Sequence, residues 1–320
     1  MDKNPLVSVV MAVYNPDMIW LEQQLNSIND QTYKDIELIV CDDCSEKNTF
    51  EQVQKLIEKT IISLTCTVIR NQENKGSNAT FEILTKNAGG EYIAYCDQDD
   101  IWEENKISTL LEEFNNTGVK MAYSDMSIIN SEGRKIAESI TKVRSRFSYY
   151  QGEELWKKIL IRNFISGCCL MIRAETAKHA ISFMPGMQHD RWLAIYAAIE
   201  GEIAFVNKPL VRYRQHNNNQ TGVLKDITDK QSYYRIRLYD HKTMLESIRS
   251  RFKDNPEFRL FLDQYILNMQ ARCDYYNGKW SALFTMLRHI NQNTITTIFE
   301  IIALKLPNPL FKKLLKVITG

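Results

Sequence analysis

Three carboxylates fall within Asp97-Gln98-Asp99-Asp100, at the end of an alternating, aromatic-rich segment, Glu91-Tyr92-Ile93-Ala94-Tyr95. Packing offers no reason to crowd acids there, whereas a cation does. Clustered hard oxygens suit magnesium or manganese holding a diphosphate. The plainer reading is a loop in which Asp97 or Asp100 caps the helix expected from about Glu103. Other polar clusters end or begin elements in the same way. Tyr14 and Asn15 close the apolar run that starts at Leu6, Asp42-Asp43 follow Ile36–Cys41, and Asn78 opens a helix. Further on, Gln188-His189-Asp190-Arg191-Trp192 opens the apolar helix 193–199, and Tyr213-Arg214-Gln215-His216-Asn217-Asn218-Asn219 ends a strand. Asp190 sits where a helix N-terminus favours an anion, and the plainer reading of it is a cap.

These positions become neighbours only if the elements carry them to one edge. Strands are expected at 6–14, 36–41, 64–69 and 91–95, each followed by a helix, at 18–29, 49–58, 78–87 and 103–115. Four strand–helix repeats with short connections imply a parallel, doubly wound α/β sheet with right-handed crossovers. In such sheets ligands bind in the crevice beyond the carboxyl ends of the strands, where Asn15, Asp42, Asp43, Asn78, Asp97 and Asp99 all fall. No G-x-G-x-x-G turn follows the first strand and no G-x-x-x-x-G-K-[ST] loop occurs, so dinucleotide and P-loop readings are excluded. After a strand at 123–129, the basic stretch 134–146 reads as a mobile surface loop. Phe164–Ile172 reads as a buried strand in which Gly167 and its small neighbours let a ligand approach the backbone.

Bulk properties are those of an ordinary globular chain. Its 320 residues are 44% hydrophobic, and 40 basic against 39 acidic side chains leave a net charge of +1, which does not point to nucleic acid. The seven cysteines are an odd number, and no apolar signal segment opens the chain, so free thiols in a reducing cytoplasm are expected. Cys41-Asp42-Asp43-Cys44 is formally C-x-x-C but has no second ligand pair at zinc spacing. Beyond residue 222 come helices at 230–252 and 256–277. A final segment places Leu310, Phe311, Leu314, Leu315, Val317 and Ile318 on one face and Lys312, Lys313 and Lys316 on the other, with Asn308 and Pro309 at its start. Such a basic amphipathic helix fits either a membrane interface or its own domain.

The ordered set of clusters resembles the family 2 glycosyltransferases, inverting enzymes of the GT-A fold, and especially their bacterial rhamnosyltransferase-like branch. The resemblance runs over about residues 5–222 and is carried by Val9–Asn15, Asp42-Asp43, Asp97–Trp102, His189–Trp192 and Tyr213–Asn218. It implies a Rossmann-like, mostly parallel sheet flanked by helices in 1–222, with a helical C-terminal region in 223–320. It further implies a nucleotide-sugar donor held by Ala12, Tyr14, Asn15, Asp43, Asn78, Asp97 and Gln98. Mn2+ or Mg2+ would sit on Asp99 and His216, with Asp97 a further candidate, and Asp190 would be the general base. Gly167, Arg191, Trp192 and Trp102 would lie on the acceptor side. The expected donor is dTDP-L-rhamnose, with a UDP-hexose as alternative. The acceptor would be a lipid-linked or polysaccharide glycan at the inner face of the bacterial membrane, and an oligomer is compatible with this reading. Two departures stand out: Cys44 occupies a position where many relatives carry glycine, and Arg191 replaces an aromatic. The rivals are a sugar nucleotidyltransferase, which expects a glycine-rich phosphate loop after the first strand, and a catalytically silent glycan- or lipid-binding module of the same fold.

Overall fold

The computed structural model describes residues 4–144, 147–216 and 227–319, without the side chains of 316–319. The chain divides into two compact units, residues 1–217 and 218–320. The expected boundary at 222/223, together with Asn217, Asn218 and Asn219, lies outside the described residues.

The first unit begins with the expected repeats: β1 (Val7–Val13), α1 (Met18–Asn29), β2 (Ile36–Asp42), α2 (Lys47–Thr60), β3 (Thr65–Arg70), α3 (Ser77–Asn87) and β4 (Tyr92–Cys96). The β1 sequence VSVVMAV is almost wholly buried, as a strand covered on both faces by helices must be. Asp17 caps α1 by accepting from the N–H groups of Ile19 and Trp20, so the chain leaves β1 and turns into a helix within four residues. β3, β2, β1 and β4 lie side by side in that order and all parallel.

Beyond β4 the sheet becomes mixed. The acidic run leads into a two-residue strand, β5 (Ile101–Trp102), before α4 (Lys106–Glu112). The expected helix from Glu103 therefore starts later, because Ile101 and Trp102 pair antiparallel with Arg212 and Val211. β6 (Val119–Ile129) follows, and then β7 (Lys135–Ala137) and α5 (Ile140–Val143). Most of the basic stretch expected as a mobile loop is thus a hairpin on β6 and a short helix capped by Ser139, while Ser145 and Arg146 lie outside the described residues. α6 (Trp156–Ile161), β8 (Leu170–Arg173), α7 (Ala174–His179), α8 (His189–Glu200) and β9 (Glu202–Arg214) complete the unit. The strand expected over 164–172 is shorter, because Gly167–Cys169 forms a 3₁₀ turn ahead of it. β8 joins β4 and β6 antiparallel, β6 pairs parallel with β9, and register shifts beside Asp125 accommodate Pro209. The result is an α/β sheet that is parallel in one half and mixed in the other.

The second unit is helical: α9 (Lys230–Tyr233), a π-helical stretch Tyr234–Tyr239, α10 (Asp240–Ile248), α11 (Pro256–Tyr276), α12 (Ala282–Arg288), α13 (Thr294–Ala303) and α14 (Asn308–Thr319). Its interior holds an ion pair, Arg272 with Glu300 at 3.2 Å, closed by hydrogen bonds from Arg272 to Thr297 and from Tyr233 to Glu300. A buried pair tolerates desolvation only when such partners complete it. The terminal helix docks on this unit. Phe311 and Leu315 of its apolar stripe are buried, with Phe311 edge-on to Tyr233 at 5.7 Å. Among the described residues no helix is long and apolar enough to cross a membrane.

Candidate active site

Because β2, β1 and β4 are neighbours, the loops at their carboxyl ends lie side by side. The Gln98 amide grips the Tyr14 backbone in both directions, accepting from its N–H at 2.8 Å and donating to its carbonyl at 3.3 Å. This leaves the Tyr14 ring 48% exposed at the mouth of the crevice, with half-buried Ala12 behind it. Asn15 ties the first loop to the second: its N–H donates to Ser45, and its side-chain carbonyl accepts from the Glu46 N–H. Asn15 has φ 40°, a value asparagine tolerates better than most side chains.

Asp43 is the hub of this side. Its Oδ1 accepts from Asn71 Nδ2 and the Lys75 N–H and its Oδ2 from the Gly76 N–H, each at 2.8 Å. One carboxylate thereby shapes the loop that leads into α3, and Gly76, at φ +80°, makes the sharp turn into that helix. Cys44 has φ 65°, the left-handed conformation glycine would favour, so the turn is kept despite the departure at that position. The two thiols of the C-x-x-C run take separate partners, Cys41 toward Asn71 and Cys44 toward the Gln72 carbonyl, and all seven cysteines are free. Asn78, in the first turn of α3, donates to the Met184 carbonyl, while its own buried Oδ1 accepts from no group.

The acidic run sits on a buried frame of cations. Arg214, fully buried at the end of β9, donates its backbone N–H to Asp100 Oδ1 at 2.9 Å and its Nε to the Asp99 carbonyl at 2.8 Å, and its remaining nitrogens reach Asn130, Ser131 and Gln23. Lys106, at the start of α4, is also fully buried; its Nζ lies 3.3 Å from the centre of the Trp102 ring and donates to the Cys168 carbonyl. Burial lowers its pKa to about 8. Above this frame, Asp99 Oδ2 is 2.8 Å from His216 Nε2, and the His216 ring rests on Trp20. Asp97, Asp100 and Cys168 bring ligand-type atoms within 4.8 Å of one another. Burial, and after it the charge of Asp99, pushes Asp97 up to about 7 and Asp100 well above the usual carboxylate range. Asp100 Oδ2 is buried without a hydrogen-bond partner. Carboxylates crowded until they resist ionising fit a divalent cation held by oxygen. The Cys168 thiol, held protonated by the adjacent Cys169 thiol and by burial, does not match a hard ion.

Asp190 enters from the mixed half, in the first turn of α8. Burial pushes it up to about 6, opposed by the N–H groups of Arg191 and Gly167 and by Asn163. It is close enough to raise Asp97 further, so the two carboxyls share one electrostatic environment. Gly167 is required by contact: a Cβ there would come 2.7 Å from His189 Nε2. His189 stacks on Phe81 at 4.0 Å with Tyr95 beside both, 5.4 Å away, and burial lowers it to about 3, so the ring stays neutral.

Three residues expected on the acceptor side are used otherwise. Trp192 is fully buried and donates from its indole to the Ala180 carbonyl; it is a core residue. Trp102 is 2% exposed and forms the floor under Lys106. Arg191 directs its guanidinium to the carbonyls of Ile159 and Leu160, at the last turn of α6. Aromatic and cationic side chains beside a catalytic-looking acid suggest ligand contact in a linear reading, but here the inward face of α8 consumes them. Lys106 and Arg214 were the residues missed. Arg214 stands inside the run that carries His216, and only the sheet pairing shows that it reaches back to Asp99 and Asp100.

An α/β sheet that gathers carboxylates beyond adjacent parallel strands, with a further buried acid near them, is compatible with a glycosyltransferase of the GT-A type. The sequence profile of Glycosyl transferase family 2 matches residues 8–178, and the chain belongs to this family. The chain is 30% identical to the dTDP-rhamnosyl transferase RfbG of Shigella flexneri, over 72% of its own length and 80% of that protein. It is 25% identical to the UDP-Glc:alpha-D-GlcNAc-diphosphoundecaprenol beta-1,3-glucosyltransferase WfgD of Escherichia coli, over 86% of this chain and 98% of that one. Among solved structures, S. aureus TarS 1-349 in complex with UDP-GlcNAc shares the fold at TM-score 0.60 and 17% identity, covering 93% of this chain and 82% of TarS. The mannosyltransferase PcManGT of Pyrobaculum calidifontis, in complex with GDP-Man and Mn2+, does so at TM-score 0.56 and 15% identity, covering 98% and 84%.

Proposed function

We propose that the chain transfers a sugar, with inversion, from a nucleotide-sugar to a hydroxyl of a growing bacterial surface polysaccharide. The observation that carries this reading is Asp190, a buried carboxyl in the first turn of α8 that lies close enough to the acidic run to act on Asp97 and that burial raises to about 6. A base of that strength is ionised at neutral pH and still accepts a proton readily. Asp190 takes the proton of the acceptor hydroxyl as that oxygen attacks the anomeric carbon. Tyr14 and the loop shaped by Asp43 hold the base and ribose, and Asn15 and Gln98 tie the loops after β1, β2 and β4 to one another. Asp99 and His216, with Asp97 beside them, would hold Mn2+ or Mg2+, which supplies charge neutralisation for the departing diphosphate. A single displacement needs no covalent intermediate, and Asp190 is then the only carboxylate assigned to the acceptor side.

dTDP-L-rhamnose is the favoured donor, supported by the likeness to RfbG. A UDP-hexose is the second reading, supported by the likeness to WfgD over nearly the whole of that protein. A lipid-diphosphate-linked acceptor is supported by the same likeness, since WfgD is named for a diphosphoundecaprenol-linked one. The test is a thermal-shift screen of nucleotide-sugars with and without manganese, followed by transfer assays on Asp190→Asn. A donor-selective, metal-dependent rise in Tm is expected. The variant should bind donor normally and lose transfer by roughly 10²–10⁴-fold. Full activity in the variant removes Asp190 from the mechanism.

A further inference from the structure

The second unit exposes more large apolar side chains than a solvated surface accounts for, and they concentrate on two consecutive helices. Phe284 is 80% exposed and Trp280 65%, with Leu287 following on α12 and with Ile295, Ile298 and Ile302 open along α13. Trp280 just ahead of α12, with Phe284 and Leu287 on it, and Ile295, Ile298 and Ile302 on α13 recur at three- and four-residue spacing, which makes one face along each. The opposite faces are satisfied: Ala282 and Met286 of α12 pack with Leu283, Ile301, Ala271 and Tyr275 in a small core. Lys305, just past α13, lies over the Trp280 ring at 4.9 Å, so the end of α13 meets the start of α12. The two helices are joined at their other ends by the short turn Ile290–Gln292, so they run antiparallel. Contiguous exposed apolar surface of this kind marks an interaction site.

Charge identifies the partner. From Trp280 to Lys305 the one acid is Glu300, which is buried against Arg272, whereas Arg288 and Lys305 are exposed. A second copy of the chain would bring cations against cations, while an anionic lipid surface supplies the opposite charge and an apolar layer for the side chains. Tryptophan with a lysine over its ring is the amphipathic pairing that settles at headgroup depth. We infer that the α12–α13 face is a peripheral docking surface for an anionic bilayer. The terminal helix, for which the sequence left a membrane interface and its own domain both open, is not part of this surface, since Phe311 and Leu315 are already buried within the unit.

The experiment is co-sedimentation of the full chain with vesicles of phosphatidylcholine alone and of phosphatidylcholine mixed equally with phosphatidylglycerol. The wild type should pellet with the mixed vesicles only. The double variant Phe284→Glu, Ile298→Glu should lower partitioning by roughly tenfold or more, since one such side chain leaving water is worth about that factor. Its melting temperature should be unchanged, because both positions are exposed. Equal sedimentation of wild type and variant overturns the inference, as does failure of the wild type to pellet. So does a dimer in vesicle-free sedimentation that the double variant dissociates, which would assign the face to a second copy. Sedimentation needs no turnover, so its failure leaves the transferase reading standing.

Discussion

Two acidic clusters follow strands of the same parallel half-sheet, and they are built in opposite ways. Asp43, after β2, is surrounded by donors that the chain itself supplies: one side-chain amide and two backbone N–H groups. Asp97 and Asp100, after β4, crowd each other and Asp99; burial raises both although Arg214 donates to Asp100, and the other oxygen of Asp100 is buried without a partner. The first arrangement contributes stability and fixes the shape of a loop. The second holds like charges together, a repulsion that the cation of the proposed function would relieve. A fold can therefore place similar residues at equivalent strand ends and satisfy one set within the chain while leaving the other crowded.

The contrast can be broken by mutation. Asp99→Asn should lower transfer by about 10²–10³-fold, the usual loss when an electrostatic partner of the transition state is removed. It should also abolish the manganese-dependent rise in Tm, while leaving metal-free stability equal or higher because one like charge leaves the cluster. A clear fall in metal-free stability would show that Asp99 belongs with Asp43 as a clamp. A pH series sharpens the contrast from the opposite wall. Asp190 is raised by burial to about 6, so it is protonated below that pH and cannot accept the acceptor proton. The kcat/KM profile should therefore rise roughly tenfold per pH unit up to about 6 and level off above it. A rising limb at the usual aspartate value near 4 would mean the acid is solvated during turnover. The smallest kinetic effect is expected from Asp43→Asn, which turns an amide N–H₂ toward a backbone donor. Stability in urea should fall by about 2 kcal/mol, the cost of leaving a buried donor unpaired, and the change in activity should appear in KM for the donor with kcat nearly kept. Loss of kcat at unchanged stability would refute the clamp assignment.

Much of this was legible in the sequence. The four strand–helix repeats, the acids at strand ends and the absence of a glycine-rich phosphate turn lie in local patterns, because hydrophobic period and turn chemistry act over a few residues. Cys44 is instructive: residue type alone predicts a changed turn, whereas the surrounding hydrogen bonds hold a cysteine in glycine's conformation. The mixed half was harder to read. β5 is two residues long and exists only because β9 offers it a partner, so no local signal marks it.

What the chain by itself determined was the inventory: which side chains can ionise, and that they lie at the carboxyl ends of strands sharing one edge. Tertiary structure alone decided their states and their allegiances. Lys106 and Arg214 became a buried frame beneath Asp99 and Asp100, Trp192 and Trp102 went to the core, and Asp190 acquired a raised pKa. The reason is that desolvation and Coulomb interaction depend on distance in space and on the exclusion of water, and residues more than a hundred positions apart meet only when the sheet closes.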